Sequence, residues 1–273
     1  MNTDPIAFTI FNLEIRWYGI LTAMALVIGF VVAYFIARYR RQKEYEILNF
    51  APFAIVFAII GARLLHVLVN WPYYSQHLSY IFAFRRGGLA IQGAMVGGIL
   101  ALIVFSKIRK LDFWLMADIL VSGLVLGQAI GRWGNFFNQE AFGRPTSVPW
   151  AIFIRPENRP FDYSSYEYFH PTFLYESIAN LALFILLLFM HRSYRNKPDR
   201  IPHGLILSMY LGIYALYRTF IEAYRIDSTF FGPVKVVYII NLIAIIVAFA
   251  IANYVIRKFK ENKIREQNSS DQV

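Results

Sequence analysis

Apolar residues in this chain are gathered into runs of about 20, the length at which an α-helix crosses a hydrocarbon layer roughly 30 Å thick. Seven runs are read, at about 17–37, 47–69, 88–106, 113–131, 172–190, 203–221 and 235–256. A soluble core would instead spread its apolar residues with amphipathic periods. Composition agrees: AVILMFWYC make up 58% of the chain and charged residues 16%, against about 25% charged in ordinary soluble domains. The expected fold class is all-α, a polytopic membrane protein with about seven transmembrane helices and an outward-facing loop or head region. The fourth and sixth runs are the least clean.

The net charge of +10 does not point to nucleic acid. The basic residues sit in short clusters between apolar runs, which is a membrane-topology pattern and not a groove-lining stripe. Sixteen follow the first, third, fifth and seventh runs, among them Arg38, Arg41, Lys107, Lys110, Arg192, Arg195, Arg257 and Arg265. Nine lie on the other side: Arg16, Arg85, Arg86, Arg132, Arg144, Arg155, Arg159, Arg225 and Lys235. The richer side is expected to be cytoplasmic, with the N-terminus outside and the C-terminus inside. The first basic residue is Arg16, so no basic leader precedes the first run, which is read as a retained anchor. The absence of cysteine excludes disulfides, thiolate metal sites and a thiol nucleophile carried by the protein.

Residues 1–262 are read as a single integral membrane catalytic domain and 263–273 as a polar cytoplasmic tail without fixed structure. Arg63, Asp118 and Arg218 place ionisable groups at membrane depth. Two outer segments stand apart. Trp71–Phe84 is dense in aromatics, as in chain lying at the headgroup level. Residues 131–171 form the longest polar stretch, and loops of that length are usually functional.

The most specific string is Gly131–Gly143, GRWGNFFNQEAFG. As isolated residues it reads as an interfacial loop in which Arg pairs with Glu. As an ordered string, G-R-x-G-N-F-x-N-x-E-x-x-G resembles the signature of the prolipoprotein diacylglyceryl transferases, with every fixed position filled. Arg16-Trp17-Tyr18-Gly19, Gly61-Ala62-Arg63-Leu64, His170-Pro171-Thr172, Leu174-Tyr175-Glu176, and Arg218, Glu222 and Arg225 follow the same family in order. The resemblance covers the chain apart from its termini.

The resemblance implies a transferase of the bacterial inner membrane, multi-pass, with its active site facing outside. The substrates implied are phosphatidylglycerol and a prolipoprotein signal peptide bearing a lipobox cysteine. The diacylglyceryl group passes to the cysteine sulfur as a thioether, glycerol phosphate leaves, and neither cofactor nor metal is implied. Arginine's planar fork suits a phosphate, and positive charge is needed where the leaving oxygen becomes negative. Arg132 and Arg218 are therefore the principal catalytic candidates. Arg218, Glu222 and Arg225 fall at i, i+4 and i+7 on one helix face, with Glu222 expected to hold both arginines; alone, they would also make a structural ion-pair ladder. Tyr18 and Asn135 are assigned to the lipid headgroup or glycerol backbone, and Glu140 is expected to be a positioning carboxylate or arginine partner. Gly143 is expected to permit a backbone conformation closed to other residues.

One position departs from the family pattern. Many members carry histidine where this chain has Gln92, which cannot take a proton near neutral pH but can still bind the headgroup. His170, in the H-P-T string, is then the candidate base, with a structural hydrogen bond or helix cap as its ordinary role. The rival is a thiolate formed because the arginine-rich pocket lowers the thiol pKa. Nearby Glu176 would raise the His170 pKa and burial would lower it. His66 is read as a mid-span polar partner, His77 as an interface residue, and His191 and His203 as facing the cytoplasm. Two other functions compete: a non-catalytic phosphatidylglycerol-binding relative, and an anion or lipid transporter. The missing internal repeat and the one-sided clustering of polar residues argue against the transporter.

Overall fold

In a computed structural model, residues 4–11, 13–83, 87–196 and 201–270 are described. The basic residues Arg85, Arg86, Lys197 and Arg200 lie outside this set, as do Phe84 and residues 271–273. The helices are α1 (Trp17–Tyr39), α2 (Tyr45–Val69), the single turn α3 (Trp71–Tyr74), α4 (Ile91–Arg109), α5 (Phe113–Asn138), α6 (Thr172–Asn196), α7 (Leu205–Glu222) and α8 (Val236–Ser270). Three short antiparallel pairs complete the fold: β1 (Ile6–Ile10) with β2 (Leu13–Arg16), β3 (Ile152–Phe153) with β4 (Tyr168–Phe169), and β5 (Phe230–Phe231) with β6 (Val234–Lys235).

Among the described residues, six helices are long and apolar enough to cross a membrane: α1, α2, α4, α5, α6 and the first 30 residues of α8. Each satisfies its own backbone hydrogen bonds, the condition for a lipid-exposed segment. The chain is thus an all-α, multi-pass membrane protein. α7 is a helix at the expected place, but Ser208, Tyr210, Tyr214, Tyr217, Arg218 and Glu222 interrupt its apolar sequence. The polar segment after residue 262, expected without fixed structure, continues α8 as helix through Ser270. Its Glu261 and Arg265 stand one turn apart, the favourable acidic-to-basic order.

The chain divides into two compact units, Met1–Ile36 with Asp118–Val273, and Ala37–Ala117. In the smaller unit α2 and α4 meet through glycines. A Cβ on Gly61 or Gly93 would run into the other's carbonyl oxygen, and one on Gly97 into that of Phe57. This is the small-residue contact by which helices approach closely in lipid, where the hydrophobic effect does not drive them together. Arg63 is buried and donates to the carbonyls of Tyr80, Ile81, Gly87 and Gly88 at 2.5–2.9 Å. Gly88 stands at φ +78°, where a Cβ would come within 2.7 Å of both His66 Nε2 and Arg63 Nη1. His66 lies in the last turn of α2 and not mid-span, its ring edge-on to Tyr74. The aromatic segment before Gly87 is a stack of Tyr73, His77 and Tyr80.

In the larger unit α5, α6 and α7 enclose Val121, Val125, Leu183, Leu187, Ile206 and Tyr210. Polar groups within it are matched, as burial requires. The Asp118 carboxylate accepts the backbone N–H groups of Gly204 and Leu207, both at 2.9 Å, capping α7. Ser122 Oγ meets His191 Nε2 at 2.9 Å. His191 is buried, packed inside the unit and not open to solvent. α1 packs on α5 at Gly29 and Gly123, where a Cβ on Gly123 would collide with the Gly29 carbonyl. Residues 139–171 are a small folded cap whose core is Phe142, Ile154 and Phe169, with Ile152 paired to Phe169 and Phe153 to Tyr168.

Candidate active site

Four helix ends of the larger unit come together: the start of α1, the C-terminal end of α5, the N-terminal end of α6 and the C-terminal end of α7. The string from Gly131 is helical as far as Asn138, which puts Arg132 and Asn135 one turn apart on α5. Trp133 Nε1 donates to Ser177 Oγ at 3.2 Å, and Ser177 Oγ to the Ala129 carbonyl at 2.8 Å, which pins α5 to α6 beside Arg132. Tyr18, in the first turn of α1, lies flat on Gly134. A Cβ there would come within 2.8 Å of the Tyr18 ring.

The centre is a carboxylate that sequence reasoning left out of the site. Glu176, 1% exposed, is contacted by three arginines: Arg132 Nη2 at 2.7 Å, Arg225 Nη1 at 3.3 Å and Arg218 Nε at 3.8 Å. Glu222, equally buried, holds Arg218 Nη1 at 2.7 Å and Arg225 Nε at 4.0 Å, so the two expected pairings are present but unequal. Ser228 Oγ donates to Glu222 Oε1 at 2.6 Å. The Lys235 ammonium donates to the carbonyls of Glu222 and Arg225 at 2.8 and 3.0 Å, closing the end of α7. The Arg132–Glu176 and Arg218–Glu222 contacts are close charge pairs and not aligned hydrogen bonds, so donor capacity remains on both guanidinium groups. The Arg132 side chain is the most accessible of the three arginines, at 25%.

Electrostatics follow from burial. Arg132, Arg218, Arg225 and Lys235, with Arg144 close enough to act on Lys235, outnumber the carboxylates Glu176, Glu222 and Asp227, so the site carries an excess of positive charge. Burial opposes ionisation of Arg225. The Asp227 hydrogen bonds at 2.6 and 2.9 Å, with the charges of Asp227, Glu176 and Glu222, outweigh it and raise its pKa. Asp227 is likewise resisted by burial yet held below the usual carboxylate range by Arg225. Burial lowers the Lys235 pKa.

The remaining expected residues of the larger unit fall around this centre with some changes of role. Glu140 accepts from Asn135 Nδ2 at 2.9 Å and Asn138 Nδ2 at 3.1 Å, so its partners are amides and not an arginine. Gly143 does not have a positive φ. Its constraint is space, because a Cβ would meet His170 Cβ at 2.9 Å and Thr172 Cγ2 and the Tyr224 carbonyl at 3.0 Å. This closeness lets Gly143 N–H reach the His170 carbonyl at 2.9 Å and Arg144 N–H reach that of Tyr224 at 2.8 Å, tying the cap to the chain before Arg225. His170 is half-buried, its Nδ1 3.0 Å from the Tyr175 hydroxyl. Burial lowers its pKa. Glu176, whose charge is engaged by three arginines, does not raise it. Gln92 is exposed in the first turn of α4, in the smaller unit. Among the described residues no cluster of three His, Asp or Glu side chains could hold a metal ion.

A carboxylate-braced arginine cluster at one end of a helical bundle defines a membrane protein equipped to bind an anionic, phosphate-bearing group. Residues 5–254 match the family model described as prolipoprotein diacylglyceryl transferase, and the chain belongs to that family. It is 46% identical over 241 residues to a phosphatidylglycerol–prolipoprotein diacylglyceryl transferase of Acaryochloris marina, covering 88% of this chain and 86% of that one. Proteins of the same name from Trichormus variabilis and Clostridioides difficile are 45% and 40% identical, over 90% and 97% of this chain and 87% and 100% of their own.

Proposed function

We propose that this chain is a transferase that moves the diacylglyceryl group of phosphatidylglycerol to the thiol of a lipobox cysteine in a prolipoprotein. The observation that carries the reading is the Arg132–Glu176–Arg218–Glu222–Arg225 cluster, net positive and open at Arg132. The cysteine sulfur bonds to the glyceryl carbon, the bond from that carbon to the phosphate oxygen breaks, and glycerol phosphate departs with the electron pair. Arg132 and Arg218 stabilise the charge gathering on that oxygen. Their field also lowers the pKa of the incoming thiol from about 8.5, raising the thiolate fraction at neutral pH. The thiol proton ends on the solvent or on the departing phosphate monoester, whose second pKa is about 6. Tyr18, Asn135, Glu140 and Gly143 are the proposed headgroup-binding residues, with Glu222 and Arg225 bracing the cluster; a headgroup role for Gln92 rests on the family resemblance alone. The test is transfer from labelled phosphatidylglycerol to a synthetic lipobox peptide, with a Cys→Ser peptide as control. Lipid binding without transfer would reduce the chain to a binding protein.

The same reading places the chain in the bacterial inner membrane with α7 as a seventh crossing, N-terminus and site outside, C-terminus cytoplasmic. The sixteen-to-nine division of basic residues supports it. Reporter fusions after Arg41, Lys110 and Arg195 and at the C-terminus should read cytoplasmic, and one within Arg155–Asp162 external. A cytoplasmic signal from that last fusion would put the active site on the other face.

A further inference from the structure

We infer that Tyr175, held by Trp150, fixes His170 as a hydrogen-bond donor through Nε2 toward an acceptor oxygen of the lipid headgroup, so that His170 binds lipid and does not take the thiol proton. The inference rests on the transfer reaction proposed above and assigns one of its residues. Trp150 Nε1–H, which can only donate, points at the Tyr175 hydroxyl from 2.9 Å. That occupies one lone pair of the phenol oxygen. His170 Nδ1 stands 3.0 Å from the same oxygen.

Two arrangements satisfy those distances. Either the phenol proton goes to Nδ1, or Nδ1–H goes to the second lone pair and the phenol proton must find another acceptor. Trp150 and His170 are the only hydrogen-bonding partners of the Tyr175 hydroxyl among the described residues. The first arrangement uses every group present: indole N–H to phenol oxygen, phenol O–H to Nδ1. A neutral imidazole that accepts at Nδ1 carries its proton on Nε2, and a nitrogen that already bears a proton cannot receive the proton of a thiol. Burial disfavours the charged ring, so it is the neutral ring whose tautomer matters.

The surroundings hold the ring in that role. Tyr224 lies edge-on to it with centroids 5.1 Å apart. The backbone is fixed by His170 N–H to the Arg144 carbonyl at 3.0 Å and Gly143 N–H to the His170 carbonyl at 2.9 Å. Nε2 has no protein partner among the described residues, and the His170 backbone is bonded to Gly143, which is itself bridged to Arg225. A donor beside a net-positive cluster adds to its attraction for a phosphate or glycerol oxygen. Tyr175 acts through His170 and is a positioning residue.

Two measurements decide the assignment. Nitrogen-15 NMR of histidine-labelled full-length protein in detergent reads the tautomer of His170, with His170→Gln identifying the resonance. The expected spectrum of the parent has Nε2 protonated and Nδ1 bare, and Tyr175→Phe should lose that bias while melting at an unchanged temperature. Steady-state transfer supplies the second measurement. Glutamine can present an N–H near the Nε2 position, so His170→Gln should recover most of the loss seen in His170→Ala. The alanine loss should be about 10–100-fold, the worth of a hydrogen bond to a charged acceptor, and should fall on KM for phosphatidylglycerol and not on KM for the peptide. An Nδ1–H tautomer in the parent, a His170→Gln variant as slow as His170→Ala, or a shift confined to the peptide KM each overturns the inference. A parent protein that transfers nothing refutes the proposed function instead, and the tautomer of the parent still decides the Tyr175 contact.

Discussion

Arg63 and Arg132 are arginines on apolar helices of this chain, and their surroundings differ in kind. Arg63 is closed in by four backbone carbonyls, neutral acceptors that use its fork of donors to hold Tyr80, Ile81, Gly87 and Gly88 against the end of α2. Arg132 touches a carboxylate that is shared with two more arginines, and a quarter of its side chain is accessible. A guanidinium saturated by neutral carbonyls is a fastener, whereas one that shares a carboxylate keeps both charge and donors to offer a ligand. An ionisable residue at membrane depth is therefore not in itself a sign of catalysis; the charge and number of its acceptors separate the two uses.

The hardest test of this contrast removes the shared carboxylate. Glu176→Gln keeps the shape but leaves Arg132 without its carboxylate, and buried Arg218 and half-buried Arg225 with Glu222 and Asp227 alone. Breaking a buried ion pair by deleting one partner costs about 3–5 kcal/mol, so thermal unfolding in detergent should show a large drop in stability, with folded yield falling accordingly. Parental stability in that variant would mean the cluster is not held by Glu176. Next in size is Arg132→Lys, which should be nearly as damaging as Arg132→Ala because a bidentate fork, and not only a charge, is required. Losing one such donor should cost roughly 10²–10³ in turnover, as for an oxyanion-hole donor. A lysine variant turning over like the parent would reduce Arg132 to a generic cation.

The helices were readable from sequence because hydrocarbon thickness sets their length. The runs at 17–37, 47–69 and 172–190 became Trp17–Tyr39, Tyr45–Val69 and Thr172–Asn196. The i, i+4 rule likewise found Arg218 with Glu222, since both lie on one helix. It could not find Glu176, whose three partners come from α5, α7 and the chain beyond α7, a convergence that no spacing within one segment encodes. The available signal was a carboxylate near the start of an apolar helix, which calls for a cationic partner elsewhere. The cap over residues 139–171 was hidden for the same reason, because Gly143, His170 and Tyr224 meet only in space. For Gly143 the expected backbone dihedral is absent and a close approach of neighbouring atoms stands in its place, two different constraints that both select glycine.

Returning to the contrast, Arg63→Gln probes its other side. Stranding the carbonyls of Tyr80, Ile81, Gly87 and Gly88 should cost about 1–3 kcal/mol and expose the chain at Tyr80 and Ile81 to protease. Turnover per folded molecule should change far less than for Arg132→Lys. A loss of turnover as large as that of Arg132→Lys, with stability intact, would abolish the distinction between fastener and ligand site.

The smallest expected effect belongs to Asp227, which pairs with Arg225 from the exposed edge of the cluster. Its side chain is 43% accessible, so solvent screens the pair and the contact is worth no more than about 1 kcal/mol despite its 2.6 Å length. The direction with pH follows from its lowered carboxyl pKa. A carboxylate held below its unfolded value of about 3.9 contributes its full stabilisation above that value and loses it as pH falls through the lower folded value. Asp227→Asn should therefore melt slightly below the parent at pH 7, with the gap closing as the pH is taken below about 4. Salt should narrow the gap at pH 7 as well, because an exposed pair is screened over about 10 Å at 0.1 M ionic strength. A gap that stays constant with both pH and salt would mean that Asp227 serves through packing, leaving Arg225 braced by Glu176 and Glu222 alone.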